Sequence, residues 1–272
     1  MIISYINGEW KEPGSLCQAI GIFKENFHKT VSVVGGGGKT TVIRRLMDEC
    51  RNAEIPCAVS TTTHIQKCDA GYFLGKPSVE MFRQIMIKYG VVWMGRETTD
   101  GKLASFQEEY LKEISREPGV LLLEADGAKR LPVKTPAEHE PVICEKTGIV
   151  LNVYGMRAIG KQIKDVCFRI GEVEKILGKT GEDILCPEDI MTLAVSRSAG
   201  RKCVTDEMEY QVILNQADTE EEKQTAMQLA EDIGKKLSEK YISEKNTKDT
   251  EFSGQISKVH VTSDLIPLEE RW

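Results

Sequence analysis

The 272-residue sequence contains no apolar run that approaches the roughly 20 residues needed for a membrane-spanning helix. Its strongest apolar stretch, at 120–123, has only the length of a strand. The first residues lack the basic flank and apolar segment of a secretory signal peptide. Hydrophobic residues (40%) and charged residues (29%) occur in the proportions of an ordinary globular protein rather than a disordered one. These absences predict a soluble, cytoplasmic protein without a membrane partner.

No two of the eight cysteines form a C-x-x-C pair, so the paired spacing of a zinc site is missing. A disulfide framework is typical of short secreted chains, and we expect free thiols here instead. The net charge of −6 also argues against general nucleic-acid binding, because the phosphate backbone requires a basic surface.

Short apolar segments alternate along the chain with helical patterns. Strands are predicted where runs of Val, Ile and Leu end at Gly, Pro or polar residues: 30–34, 56–60, 91–94, 119–123, 149–153, 211–214 and 258–262. Helices are predicted between them at 39–52, 78–89, 106–116 and 219–241. The alternation predicts an α/β fold of the P-loop NTPase type, with a doubly wound, mainly parallel sheet and helices on both faces.

The regular alternation of strands and helices is interrupted after residue 155. Two helices at 171–177 and 187–196 suggest a small, mostly helical insertion over 156–205. We therefore divide the chain into a nucleotide-binding core over 1–155, this insertion, and a return to the core sheet over 206–272. Within the last part, the polar segment 242–255 is expected to be a flexible loop.

The strongest chemical signal follows the first predicted strand. A glycine-rich loop that opens a helix with Lys-Thr is the sequence form of a phosphate-binding loop, although Val33 stands where the usual pattern has glycine. Bare backbone amides would hold phosphate oxygens, the lysine would contact the β- and γ-phosphates, and the first threonine suits Mg²⁺. The residues expected to bind nucleotide here are Gly35, Gly36, Gly37, Gly38, Lys39, Thr40 and Thr41.

A second signal is the apolar strand that ends in Glu124-Ala125-Asp126-Gly127. In sheets of this type the acid at the end of the neighbouring strand holds Mg²⁺ directly or through water, so Glu124 and Asp126 are both candidates for metal binding and catalysis with Lys39. The spacing E-x-x-G also resembles the second element of metallochaperone GTPases. The alternative is an acid at the strand end that only caps a turn.

Weaker candidates for substrate binding lie at other strand ends. Thr63 and His64 follow the second predicted strand, where ligands bind in open α/β sheets, although such a histidine can equally be a simple hydrogen-bonding residue. The basic segment that contains Arg130 and Lys134 suits an anionic substrate or a transferring phosphoryl group, or else is a solvated loop. His139, between two glutamates, is a candidate general base.

The segment Asn215-Gln216-Ala217-Asp218 has the form N-x-x-D after a late strand. In guanine-binding P-loop proteins the motif is N-K-x-D, where the aspartate accepts hydrogen bonds from the base. Gln216 replaces that lysine here, so Asn215 and Asp218 are candidate base-binding residues while the choice between ATP and GTP remains open.

Taken together, the motifs resemble the YqeC family, described as accessory proteins of selenium-dependent molybdenum hydroxylases. The resemblance covers about residues 16–263 and rests on four segments: VVGGGGKTT (33–41), STTTH (60–64), LLEADGAKRLPVKTPAEHEPVI (122–143) and VILNQAD (212–218). His64 and Gln216 stand where lysine is usual in the family. The resemblance implies a nucleotide-dependent role in the maturation of such a hydroxylase, with that enzyme or another maturation protein as partner.

Three functions are compatible with these residues. The first is a Mg²⁺-dependent NTPase accessory protein, with a homodimer across the nucleotide face as one arrangement. The second is an ATP-dependent small-molecule ligase or kinase, because the loop 35–41 has the length and position of the G-T-N-G-K-T-T loop of Mur ligases. The third is a nucleotide-sensing scaffold that binds without hydrolysis.

Overall fold

A ten-stranded sheet forms the centre of the computed structural model, which describes residues 1–24, 28–245 and 257–263. The described strands are β1 (Ile2–Ile6), β2 (Glu9–Lys11), β3 (His28–Gly35), β4 (Cys57–Thr61), β5 (His64–Gln66), β6 (Phe73–Leu74), β7 (Val91–Met94), β8 (Arg96–Glu97), β9 (Lys102–Ala104), β10 (Gly119–Glu124), β11 (Val133–Lys134), β12 (Thr147–Gly155), β13 (Cys167–Phe168), β14 (Glu209–Asn215) and β15 (Lys258–Thr262). The described α-helices are α1 (Leu16–Ile20), α2 (Lys39–Asn52), α3 (Val79–Tyr89), α4 (Glu108–Ile114), α5 (Ile163–Val166), α6 (Ile170–Leu177), α7 (Pro187–Val195) and α8 (Glu220–Lys245).

The central sheet has the strand order β2-β1-β15-β14-β12-β3-β10-β4-β7-β6. Its strands from β15 to β6 are parallel, and β1 pairs antiparallel with both β15 and β2. All seven predicted strands lie in this sheet, so the predicted α/β class with a large, mainly parallel sheet is confirmed. The register brings Glu124 opposite Val33 on one side and Thr61 on the other, which sets acids beside the end of β3.

The apolar strands are buried on both faces, which explains why their hydrophobic runs do not alternate. In β10, Val120 and Leu122 join a core with α1 and α2, whereas Leu121 and Leu123 join a second core with α3 and α4. A third core lies under α7 and α8 and includes side chains from β12, β14 and β15. Helices therefore cover both faces of the sheet.

The predicted helices are confirmed within a few residues of their ends. Residues 156–205 contain a short 3₁₀ helix, α5, the strand β13, α6 and α7. Their apolar side chains, such as Ile163, Val173 and Leu193, share one buried core with β14 and α8. This stretch is thus packed directly against the central sheet.

The prediction of a loop from residue 242 is wrong for 242–245, because α8 continues through Lys245. Glu and Lys, which are frequent there, are good helix formers, so a polar and aperiodic segment extends a helix as readily as it forms a loop. The rest of that predicted loop, 246–255, lies outside the described residues. None of the helices in the described ranges is long and apolar enough to cross a bilayer.

The sequence did contain a signal for the N-terminal hairpin β1–β2 that strand patterning overlooked. Asn7 and Gly8 join the two strands, and both have positive φ (51° and 90°). An Asn-Gly pair is the strongest short-range indication of a hairpin, because a type I′ turn needs positive φ at both positions. The small sheets β5-β9-β8 and β11-β13 were also not predicted, since strands of two or three residues have no recognisable period.

His260 on β15 connects three strands through buried side chains. Its Nδ1 lies 2.8 Å from the Ser4 hydroxyl on β1, and its Nε2 lies 2.8 Å from Oε1 of Gln211 on β14. The amide oxygen of Gln211 can only accept, so Nε2–H donates to it and Nδ1 accepts from Ser4. Burial lowers the pKa of His260 from 6.5 to about 3, so the ring is neutral in the folded protein.

This neutral histidine makes stability depend on pH. The unfolded chain takes up a proton near pH 6.5 and the folded chain only near pH 3, so we expect the free energy of unfolding to fall as pH is lowered between these values. The slope from this residue approaches about 1.4 kcal/mol per pH unit. Urea unfolding at a series of pH values should show that His260→Gln removes this slope, whereas His64→Gln, at an exposed position, keeps it. Equal slopes in His260→Gln and the wild type would contradict the assignment.

Candidate functional site

The candidate site lies where β3 and β10 end side by side in the central sheet. β3 ends at Gly35, the glycine loop follows at once, and α2 begins at Lys39. β10 ends at Glu124, directly beside this loop. The carboxyl ends of the parallel strands thus bring the glycines, the lysine and the acids to one edge of the sheet, as the order of motifs predicted.

The glycine loop is held so tightly that side chains would not fit. Gly35, Gly37 and Gly38 all have positive φ (94°, 65° and 101°). A Cβ on Gly37 would stand 2.2 Å from the backbone nitrogen of Gly155, and one on Gly36 would stand 2.6 Å from the carbonyl oxygen of Leu131. Glycine is therefore required here by backbone conformation and by close approach.

The two halves of the loop use their amides differently. Gly35 N–H donates to the Asp126 carboxylate (3.0 Å), and the next two amides donate to the carbonyls of Val153 and Leu131. For the amides of 38–41 the described residues provide no acceptor, since the first helical bond runs from Val42 N–H to the carbonyl of Gly38. These four amides at the start of α2 are the groups available to an anion.

Lys39 lies almost wholly buried beside the loop that precedes it. Its ammonium donates to the Gly35 carbonyl at 2.7 Å and lies 3.2 Å from Asp126 Oδ1 and 4.0 Å from Glu124 Oε1. Only 5% of its side chain is exposed. The lysine is thus fixed at the base of the loop by one carbonyl and two carboxylates.

Glu124 joins this lysine to the first turn of α2. The Thr40 hydroxyl donates to Glu124 Oε2 at 2.9 Å, and Thr61 on β4 donates to the Glu124 backbone carbonyl at 2.7 Å. Burial raises the pKa of Glu124, and the nearby Lys39 ammonium offsets part of that rise. A hydroxyl next to a carboxylate is a donor set that Mg²⁺ accepts when phosphates and waters complete its shell. Within the described ranges no cluster of three or more His, Cys, Asp or Glu residues could hold a metal ion by itself.

Asp126 is shared between two lysines. Besides Lys39, its carboxylate contacts Lys134, whose ammonium lies 3.1 Å from Oδ2 and whose side chain is completely buried. Lys134 in turn lies 2.8 Å from Glu140, which Arg169 contacts at 3.0 Å. Burial alone would raise the pKa of Glu140, but the cations Arg169 and Lys134 lower it to about 2. The chain of ion pairs therefore runs from the glycine loop to the start of α6.

The predicted substrate-binding residues are distributed differently. Lys134 lies inside the protein, whereas Arg130, His64 and His139 are exposed. Thr63 is half-buried, and its amide donates to the hydroxyl of Thr61. Of these residues, only Lys134 contacts the acids of the site.

The side chain of Asn215 is used within the protein. Its amide donates to the Gly37 carbonyl at 2.7 Å, and its oxygen accepts from the Thr262 hydroxyl at 2.8 Å. Asp218 forms an ion pair with Arg157 on the surface. Asn215, on β14 beyond β12, thereby supports the glycine loop.

Sequence reasoning missed several residues that build the site. Arg169 and Gly155 gave no signal, because an ion pair or a close backbone contact between distant segments leaves no local pattern. Glu140 was noted only as part of an acidic pair around His139. Backbone conformations in this region also gave no sequence signal: the Glu140-Pro141 peptide is cis, and Arg169 has a positive φ of 64°.

Comparisons with known proteins place these residues in a family. A family model described as YqeC protein matches residues 31–171, which include the glycine loop, the acids of β10 and Arg169. The chain is also similar to a protein of Escherichia coli (strain K12) named Uncharacterized protein YqeC, with 27% identity over 169 residues. That alignment covers 60% of this chain and 66% of the other, so it spans just under two thirds of the relative's length.

Proposed function

The chain belongs to the YqeC family, and we propose that it is a Mg²⁺-dependent nucleoside triphosphate-binding protein of the P-loop NTPase type that hydrolyses its nucleotide. The observation that carries this proposal is the environment of Lys39. A buried ammonium between the Gly35 carbonyl and two strand-end carboxylates, below four available amides, is an arrangement suited to phosphate.

Each residue of the site has a separate role in this proposal. The amides of 38–41 and the ammonium of Lys39 bind phosphate oxygens and compensate the negative charge that develops on them. Thr40 and Glu124 hold Mg²⁺, which supplies charge neutralisation at the phosphates when bound. Asp126 keeps Lys39 and the Gly35 amide in place, so it is a positioning residue.

Base recognition is assigned to the segment that contains Asn215 and Asp218. Asn215 keeps one amide hydrogen beyond the bond to Gly37, and its position against the loop supports a role in joining base and phosphate binding. The N-x-x-D pattern favours GTP. Gln216, which stands where the guanine-binding motif has lysine, favours neither guanine nor adenine. Both nucleotides therefore enter the test.

The proposed test is a calorimetric titration with ATP and with GTP, each with and without Mg²⁺. We expect one of the two nucleotides to bind in the presence of Mg²⁺. Lys39→Ala should weaken that binding at least about tenfold, or about 1.4 kcal/mol, because it removes the ammonium that contacts the Gly35 carbonyl at the base of the loop. Lys146→Ala, at an exposed position without an ion pair in the described chain, is the matched control. If neither nucleotide binds, or if Lys39→Ala binds as the wild type does, the proposal fails.

The biological role we propose is in the maturation of a selenium-dependent molybdenum hydroxylase, and the family resemblance supports this part. Hydrolysis would then control the delivery of a selenium or molybdenum cofactor to the hydroxylase, or to another maturation protein, in the cytoplasm. In this arrangement two copies of the chain pair across the nucleotide face. A phosphate-release rate that rises when a protein partner is added supports this role.

The second candidate function is an ATP-dependent ligase or kinase acting on a small molecule. The exposed side chains of Lys129 and Arg130 next to the site favour it, because cations there suit an acidic co-substrate. Stimulation of phosphate release by a small acid rather than by a protein supports this alternative. Binding without any Lys39-dependent phosphate release would instead support a nucleotide-sensing scaffold.

A further inference from the structure

Three cations surround the ring of Phe168, which is half-buried on β13. The guanidinium of Arg169 lies 4.9 Å from the ring centroid, the ammonium of Lys129 lies 5.3 Å away, and that of Lys134 lies 5.9 Å away. Each distance is within the range of a cation–π contact. Three positive charges around one ring repel one another, so the arrangement needs negative charge nearby.

The carboxylates of this region neutralise only part of that charge. Lys134 contacts Asp126 and Glu140, and Arg169 shares Glu140 with it. Neither Lys129 nor the adjacent Arg130 has a carboxylate within 4 Å in the described part of the chain, and both side chains are exposed. Two positive charges without a carboxylate partner are therefore left at the surface: that of Lys129, which contacts the ring, and that of Arg130, the next residue.

The backbone holds these two cations in an unfavourable conformation. Lys129 and Arg130 both have left-handed φ values (47° and 66°), a conformation that is unfavourable for residues other than glycine. Directly after them, the Leu131 carbonyl accepts from Gly37 N–H at 3.2 Å and the Pro132 carbonyl accepts from Gly155 N–H at 2.9 Å. The loop that carries the cations is thus anchored to the glycine loop, and strain of this kind is concentrated at functional sites.

We propose that Lys129 and Arg169, which contact the ring of Phe168, together with the adjacent exposed Arg130 form a second anion-binding site beside the phosphate loop. Its ligand is a small molecule with two negative charges on carboxylate or phosphate groups. Two unpaired cations match such a dianion, and a guanidinium binds the two oxygens of a carboxylate or phosphate together. That the ligand is a co-substrate of the nucleotide reaction rests on the proposed function; the site itself does not.

The test is a calorimetric titration of the nucleotide-free protein with two probes, succinate and inorganic phosphate, at low ionic strength. We expect at least one probe to bind the wild type, and the double variant Lys129→Gln/Arg130→Gln to bind it at least about tenfold more weakly. The control Lys146→Gln/Arg116→Gln removes the same two charges from exposed positions without ion pairs in the described chain and should bind as the wild type does. Binding of succinate alone assigns a carboxylate ligand, and binding of phosphate alone assigns a phosphate ligand.

The variant Lys39→Ala distinguishes this site from the phosphate loop, because it removes the lysine of the loop and should still bind the probe. Loss of probe binding in Lys39→Ala with no change in Lys129→Gln/Arg130→Gln would place the anion in the phosphate loop and overturn the proposal. Equal weakening in both double variants, or no binding of either probe, would also overturn it. If the probe results hold while ATP and GTP fail to bind, the anion site stands and the proposed nucleotide function falls.

Discussion

Replacing Lys134 with methionine is expected to lower the free energy of unfolding by about 3–5 kcal/mol. The ammonium is fully buried and lies 3.1 Å from Asp126 and 2.8 Å from Glu140, so its removal leaves two buried carboxylates with one cation fewer between them. Methionine is close to lysine in volume, which keeps the contribution of an empty space small. Urea unfolding at pH 7 measures the change directly.

Two further variants make this result specific. Lys161→Met removes a lysine from an exposed position without an ion pair in the described chain and should change stability by no more than about 0.5 kcal/mol. Adding Glu140→Gln to Lys134→Met should restore part of the loss, since the uncompensated carboxylate is then neutral. A loss below about 1 kcal/mol in Lys134→Met would show that the buried charges do not depend on one another.

Gly37→Ala is expected to destabilise the protein by more than about 2 kcal/mol and to abolish nucleotide binding. Its φ of +65° is unfavourable for alanine, and the new Cβ would stand 2.2 Å from the backbone nitrogen of Gly155. Because both partners are backbone, β12 or the loop itself must shift. That shift removes the Gly37 bonds to Leu131 and Asn215, and with them the shape of the phosphate loop.

Gly160→Ala separates conformational strain from the clash. Gly160 has a similar φ of +80°, but no heavy atom lies within 4 Å of the position of its Cβ. This variant should lose only the about 1–2 kcal/mol of the left-handed backbone and should bind nucleotide as the wild type does. Urea unfolding and calorimetric titration of both variants give the comparison. If Gly37→Ala proves no worse than Gly160→Ala, the close packing of the loop against β12 has no functional consequence.

The sequence predicted the parts of the fold that have a local cause. Buried strands such as β10 are recognised by runs of branched apolar residues. The start of α2 is recognised by the glycine loop and Lys-Thr, which come before its apolar stripe. The acids Glu124 and Asp126 could be placed next to the loop because parallel strands end at one edge of the sheet. Seven strands and six helices are therefore recognisable from the sequence alone.

What the sequence could not predict depends on contacts between distant segments. Lys134 was expected to lie in a basic segment that either binds an anion or is a solvated loop, whereas the packing of β11 against β13 buries it between two carboxylates. Asn215 resembled a base-binding residue, whereas its amide also supports Gly37 across the sheet. The carboxylates beside Lys134 are only eight and six residues away in the sequence, at Asp126 and Glu140, but its burial depends on β13, which was not predicted. The partner of Asn215, Gly37, lies 178 residues away.

The two residues joined by the bond between Asn215 and Gly37 are synthesised at different times. Asn215 follows Gly37 by 178 residues, so a ribosome working at about 5–20 residues per second needs roughly 10 to 35 seconds to supply it. Within that interval β12 is made before β14, so one edge of β12 has no partner strand until β14 emerges. If nucleotide binding as proposed requires this bond, nucleotide can stabilise the chain only after β14 has emerged, and until then the open edge of β12 is available for pairing with other strands.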